Sequence, residues 1–270
     1  MSHGLSDLPG VYTIQRLRDR LRRKTAGLRR RPNFLIVGAQ KGGTSSLYGL
    51  LSRHPQVAPA TRKEVHFFDL NYDEGDSWYA AQFPVRLGRS RITGEASPYY
   101  LFHPHAPRRI SRHLPSVRLI AMLRDPVDRA YSHYHHNRRK GREPLGFSEA
   151  IGREGERTAG ELDRMLEDPG YTSFAHQHYT YLARGRYAEQ LAAYLEHFSR
   201  ARVLVVKSER FFSETGAVWK EVLDYLDLES CPLPERRAYN AGSYSSTMPT
   251  GVRERLERYF EPHNRRLAET

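Results

Sequence analysis

The residues best suited to chemistry stand together near the start of the chain: Lys41, Gly42, Gly43, Thr44, Ser45 and Ser46 separate the apolar run Phe34-Leu35-Ile36-Val37 from an amphipathic stretch ending at Leu51. An apolar run that breaks at small residues and resumes with helical spacing reads as strand, loop and helix. The glycines let the main chain approach a ligand closely. The helix start offers unpaired N–H groups and the positive end of a dipole, while the lysine and the hydroxyls add further donors. The chemistry is the binding of phosphate or sulfate. In the common nucleotide-triphosphatase loop the lysine follows the last glycine and directly precedes the Ser or Thr that holds magnesium. Here Lys41 precedes both glycines, so the ligand can carry phosphate or sulfate without metal-assisted triphosphate chemistry. Two alternatives share this local pattern: a glycine-rich turn that binds nothing, and a P-loop nucleotide kinase or phosphotransferase.

Further along, Val117 to Leu123 is an apolar run broken only by Arg118, and Arg124 closes it. Asp125 and Pro126 have a structural explanation as helix cap and first helical residue. The kinase reading therefore lacks a magnesium carboxylate at that place. Ser132 follows Asp125 by seven residues, about two helical turns on the same face, so Arg124 and Ser132 can reach one phosphate. Lys63 and Glu64 alone read as surface charge. The pairs His103/His105 and His176/His178 and the group His133/His135/His136 invite a metal, but His-x-His on a helix points the rings apart and no His-Glu-x-x-His occurs. No metal is expected. A hydrolase elbow, Gly-x-Ser-x-Gly, fails at Leu47.

The elements that must position these residues alternate. Strands are expected at 34–38, 91–95, 117–123 and 202–207, a short extended piece at 56–59, and helices at 76–83, 108–114, from 126, 187–198, 215–226 and 251–260. Residues 139–186 are polar and glycine-containing and suggest short helices with substrate-contacting loops. Alternation of this kind implies an α/β fold, a three-layer sandwich with a central parallel sheet covered on both faces. Ligands of such sheets gather beyond the carboxyl ends of the strands. Lys41–Ser46, Glu95–Tyr99 and Arg124–Ser132 all fall there.

With 270 residues and 39% hydrophobic content, the chain can bury one sizeable core. Residues 32–270 are expected to form a single domain, preceded by a basic arm or helix over 1–31. No apolar run approaches a membrane span and no secretory leader is evident. Cys231 is the only cysteine, which excludes an internal disulfide and fits a reducing cytoplasm. The net charge of +12 predicts attraction to anions. Nucleic acid is not the expected partner, because no aromatic residue interleaves the basic ones between Arg16 and Arg31; a solvated helix or a mobile arm ending at Pro32 is the expectation. No pattern speaks for a particular oligomeric state.

Taken in order, Gly38-Ala39-Gln40-Lys41-Gly42-Gly43-Thr44-Ser45-Ser46-Leu47, Lys63-Glu64-Val65-His66-Phe67-Phe68-Asp69, Glu95-Ala96-Ser97-Pro98-Tyr99 and Leu123-Arg124-Asp125-Pro126 with Arg129-Ala130-Tyr131-Ser132 resemble the sulfotransferases that use 3'-phosphoadenosine 5'-phosphosulfate (PAPS). The likeness is to the heparan sulfate N-sulfotransferase and 3-O-sulfotransferase branch and its bacterial relatives, and runs from about Pro32 towards the C-terminus. It implies a P-loop-like phosphosulfate-binding loop, with Lys41, Gly42, Gly43, Thr44, Ser45 and neighbouring Ser46 at the 5'-phosphosulfate and Arg124 and Ser132 at the 3'-phosphate. Glu64 takes the position of the catalytic base, with His66 beside it and Lys41 opposing charge on the leaving phosphate. The reaction implied is sulfuryl transfer to a hydroxyl or amine of a carbohydrate, glycolipid or small molecule, leaving adenosine 3',5'-bisphosphate (PAP), without a metal. Two departures stand out. Ala96 follows the glutamate where the animal relatives have lysine, and Ser243 to Pro249 replaces their cysteine-linked hairpin and Lys-Gly-Arg cofactor loop. The C-terminal cofactor contacts therefore do not carry over, and an acceptor other than heparan sulfate is expected. A free glutamate titrates near ~4.3, too low for a base at neutral pH. Burial by Phe67 and Phe68 would raise Glu64 while Lys41 and Lys63 lower it, a balance the sequence leaves open.

Overall fold

Among the described residues four parallel strands form the centre: β1 (Phe34–Gly38), β2 (Gly94–Ala96), β3 (Arg118–Leu123) and β4 (Val203–Lys207), in the order β2-β1-β3-β4. The computed structural model describes residues 20–86, 92–235 and 248–269. Its helices are α1 (Thr44–Leu51), α2 (Asp76–Ala81), α3 (Ala106–His113), α4 (Pro126–Arg139), α5 (Phe147–Gly152), α6 (Glu154–Arg157), α7 (Glu161–Glu167), α8 (Phe174–His178), α9 (Tyr187–Leu195), α10 (Ser208–Ser213), α11 (Thr215–Leu226) and α12 (Thr250–Ala268).

The period of two along each strand divides the core. Leu35, Val37, Leu119, Ala121, Leu123 and Val203 pack on one face with Phe67, Phe68, Tyr79 and Ile110, beneath α2, α3 and α9. Phe34, Ile36, Ile120, Met122 and Val206 pack on the other with Leu47, Leu51, Trp219 and Leu223 of α1 and α11. Both faces are thus covered, which is why β1 and β3 read as continuous apolar runs. The three-layer expectation holds. A third cluster joins Val127, Tyr131 and Tyr134 of α4 to Phe147 of α5, Tyr181, and Leu256 and Phe260 of α12.

Three expectations are corrected. The second strand begins at Gly94, not at residue 91; Ile92 makes only an isolated parallel bridge to Val57 in the extended piece, and Arg91 lies outside the described residues. The last helix does not end at Phe260. It continues through Pro262 to Ala268, because Phe260 is fully buried in the third cluster and Leu267 packs against the first, contacts that outweigh the backbone N–H missing at proline. Over the described residues 20–31 the basic segment starts as a helix over 20–24 but is not solvated: Arg22 donates to the carbonyls of Ala81 and Phe83, Arg29 to that of Phe83, Arg23 pairs with Glu74 and Arg31 with Asp76. Arg16, Arg18 and residues 243–247 lie outside the described residues.

The Asp125 side chain accepts from the Asp128 N–H at 2.9 Å, the cap expected at the start of α4. Asp125→Ala should lower stability by about 1 kcal/mol in urea denaturation while the fold persists.

Candidate active site

The loop that leaves β1 crosses to α1 with two residues in the left-handed region, Lys41 at φ +71° and Gly43 at φ +93°. Gly42 is required by contact: a Cβ there would stand 2.3 Å from the Met122 carbonyl oxygen of β3. The loop is thereby pressed onto the neighbouring strand, and Ser208 at the start of α10 donates to the Gly42 carbonyl at 2.6 Å. The Ser46 N–H donates back to the Gly43 carbonyl at 2.9 Å, and Thr44, Ser45 and Ser46 at the start of α1 border the space beyond the sheet.

That space is a polar cleft of about 710 Å³. Lys41, Gly43, Thr44, Ser45, Ser46, Glu64, His66, Arg124 and Ser132 all line it, so one cleft unites these expected residues. Gly42 lies beneath the loop, against β3. Burial, and then the charges of Arg139, Arg124 and Lys63, pull the Lys41 ammonium below its usual pKa. An anion relieves that strain. Arg139, Lys140, Arg142 and Arg184 add positive charge to the walls, and Glu64 is the one carboxylate among the described lining residues. A separate, mostly apolar cavity of about 560 Å³ between β4, α9 and α12 shares Arg124 but none of the loop.

Glu64 and His66 stand on the segment that follows the extended piece. Lys63 Nζ lies 2.5 Å from Glu64 Oε1 and donates to Ser45 Oγ at 2.7 Å, tying this segment to the loop. His66 Nε2 lies 3.2 Å from Glu64 Oε2 and Nδ1 lies 2.8 Å from Oδ2 of buried Asp69. Burial opposes a charge on His66, but the hydrogen bonds to Asp69 and Glu64 outweigh it and raise its pKa to about 10. Both ring nitrogens then donate. Burial likewise pushes the Glu64 carboxyl up, yet His66 and Lys63 hold it down at about 2. The balance left open by the sequence is settled by these cations.

The chain also matches known proteins. The sulfotransferase domain family matches residues 31–246. The chain belongs to that family. It is 31% identical to mouse heparan sulfate glucosamine 3-O-sulfotransferase 6, covering 89% of this chain and 72% of the relative. It is 26% identical to the membrane-associated sulfotransferase kil1 of Dictyostelium discoideum, over 87% of this chain and 64% of that protein. Against mouse heparan sulfate glucosamine 3-O-sulfotransferase 3B1 it is 35% identical, over 76% of this chain and 48% of the relative. The chain thus spans about half to two thirds of the length of the last two. A solved sulfotransferase from Alicyclobacillus acidocaldarius superposes with a TM-score of 0.69 at 33% identity, covering 88% of this chain and 94% of that one. The kinase alternative finds no support in these matches. Among the described residues no helix is long and apolar enough to cross a membrane, and no group of three or more His, Cys, Asp or Glu side chains is arranged to hold a metal.

Sequence reasoning did not single out Asp69, Ser208 or Arg184. Asp69 had a signal: it stands three residues beyond His66, within reach of its ring. Ser208 and Arg184 had none. Arg184 is buried, stacks over Tyr99 with its guanidinium carbon 4.6 Å from the ring centre, and donates to Gln40 Oε1 at 3.3 Å.

A pH dependence follows from His66. Its pKa is raised above the ordinary 6.5, so its pairing stabilises the fold fully below that value and is lost as pH rises towards about 10. The melting temperature of the wild type should therefore fall more steeply between those pH values than that of His66→Gln, read by calorimetry across the range.

Proposed function

We propose that this sulfotransferase moves a sulfuryl group from PAPS to a hydroxyl or amino group of a carbohydrate, glycolipid or small-molecule acceptor. The observation that carries the reading is the meeting, in one cleft, of a cation-crowded loop with a carboxylate held ionised beside it. A polyanionic donor fits that surplus of positive charge. Lys41, Gly42, Gly43, Thr44, Ser45 and Ser46 would hold its phosphosulfate end, and Arg124 and Ser132 its 3'-phosphate. When bound, the donor supplies an activated sulfuryl group on a phosphate leaving group.

Lys41 opposes charge developing on that phosphate, and preorganised donors of this kind typically contribute a few kcal/mol to the barrier. Glu64 takes the acceptor proton. Glu64 is held at about 2 before the donor binds, and even with the donor's negative charge beside it a carboxylate is a weak base, so it takes the proton late, once the acceptor oxygen has begun to bond to sulfur and has become acidic. His66 keeps Glu64 ionised and aimed, and Asp69 keeps His66 charged. No metal is needed in this scheme. Residues 32–270 act as one catalytic domain, and the lone Cys231 is in keeping with a cytoplasmic setting.

Lys41→Ala and Arg124→Ala should each weaken PAP binding by about 1.5–3 kcal/mol, roughly 10- to 150-fold, in a thermal-shift titration without magnesium. Stabilisation by magnesium-ATP alone would contradict the donor assignment. Glu64→Gln should lower turnover much more than PAP affinity, with PAPS offered alongside hydroxyl and amine acceptors and the product read by its mass gain of one sulfuryl group. Unchanged turnover in that variant would remove Glu64 from the mechanism.

A further inference from the structure

Main-chain groups of the segment carrying Glu64 are tethered one after another to β2 and the turn after it. The Lys63 carbonyl accepts from the Ala96 N–H at 3.0 Å, and the Val65 N–H donates to Glu95 Oε2 at 3.1 Å. The His66 N–H donates to Ser97 Oγ at 3.0 Å and the Phe67 N–H to the Tyr100 hydroxyl at 2.7 Å. Ser97 in turn donates to Glu95 Oε2 at 2.6 Å, and Tyr100 and Tyr79 donate to Oε1 at 2.8 and 3.2 Å. The tethers of Val65, His66 and Phe67 thus converge on one carboxyl group, which is fully buried.

Strain explains what the convergence is for. His66 has φ +55°, a left-handed conformation that costs a residue with a Cβ about 1–2 kcal/mol and persists only where its surroundings over-determine it. Released, the segment would relax, and Glu64 and the His66 ring would leave their places. A carboxylate suits the task because every group facing its oxygens is a donor. A carboxamide of the same shape would turn its own N–H bonds against one side of that ring of donors.

We infer that Glu95 is a positioning residue for sulfuryl transfer: through Val65, Ser97 and Tyr100 it holds the strained turn that aims Glu64 and His66 into the cleft. The inference rests on the reading of Glu64 as the base. The titratable groups facing Glu95 are Tyr79 of α2, Tyr100, Tyr48 of α1 and His66. Burial lifts the Glu95 carboxyl to about 7 against these hydrogen bonds. As pH falls through that value the group gains a proton, and a hydroxyl that had donated to it must turn to accept, which loosens the clamp.

The test compares Glu95→Gln with the wild type in PAP affinity, in turnover of PAPS read as PAP formed while the sulfuryl group passes to a hydroxyl or amine acceptor or to water, and in the His66 titration followed by NMR. In Glu95→Gln, PAP affinity should be unchanged and turnover lower on the order of 10²-fold, the usual cost of a catalytic group misplaced by about 1 Å. His66 should titrate nearer its ordinary 6.5 than about 10. Wild-type turnover should decline as pH drops through about 7, and the variant should lack that acid limb. A folded Glu95→Gln protein with wild-type turnover and His66 titration, even one with a lowered melting temperature, overturns the inference. Should that variant not fold, Ser97→Ala removes a single tether; the same directions of change support the inference and none overturns it. Full activity in Glu64→Gln would defeat the base reading and this inference together. An inactive Glu64→Gln beside an active Glu95→Gln would defeat this inference alone.

Discussion

Burial and the neighbouring Arg139, Arg124 and Lys63 all act against the charge on Lys41, and the scaffold around the cleft exists to hold these like charges together. Two unit charges 4 Å apart near a protein surface repel by about 4 kcal/mol, so such a cluster disperses unless rigid elements oppose it. Here those elements are β1 and β3, adjacent parallel strands whose carboxyl ends deliver Lys41 and Arg124 to the same edge. Gly42 allows the loop to lie against the Met122 carbonyl, and Ser208 fastens it from the far side. A longer side chain at either contact would push the loop off the sheet and separate the cations.

Much of this was legible because it is local. The strands over residues 118–123 and 203–207 and the helix over residues 215–226 follow from apolar periodicity, and the start of α4 follows from Asp125 and Pro126. The errors fell where tertiary contacts overrule local preference. Pro262 signals a stop in isolation, yet α12 runs through it because Phe260 before it is buried and Leu267 after it packs, partly buried, against the first core cluster. Arginines before Pro32 look solvated in sequence, yet Arg22 and Arg29 cap carbonyls at the end of α2, more than fifty residues away.

The site divides in the same way. The anion loop is one continuous stretch, so its residue types announce it, and Arg124 stands where a strand ends. The charge states of Glu64 and His66 were not legible, because they depend on Asp69 and on how closely Lys63 approaches. The clamp behind them was less legible still. Glu95 looked like one more residue at a strand end, and its role appears only once β2 is laid beside β1 and the segment around Val65 folds over it.

The two halves of the cleft are electrostatically linked through Lys63, which touches Ser45 of the loop and Glu64 of the base segment. Without a guest, Lys63 and His66 spend their charge on Glu64 and hold its proton affinity low. An anion seated on the loop competes for Lys63 and adds negative charge near Glu64, and both effects raise the carboxylate's affinity for a proton. In the proposed mechanism, Glu64 is therefore a stronger base with the loop filled than with it empty. In the proposed mechanism, a cleft this rich in cations makes occupancy of the anion site and readiness of Glu64 one electrostatic event, and the tethered backbone keeps Glu64 close enough to feel it.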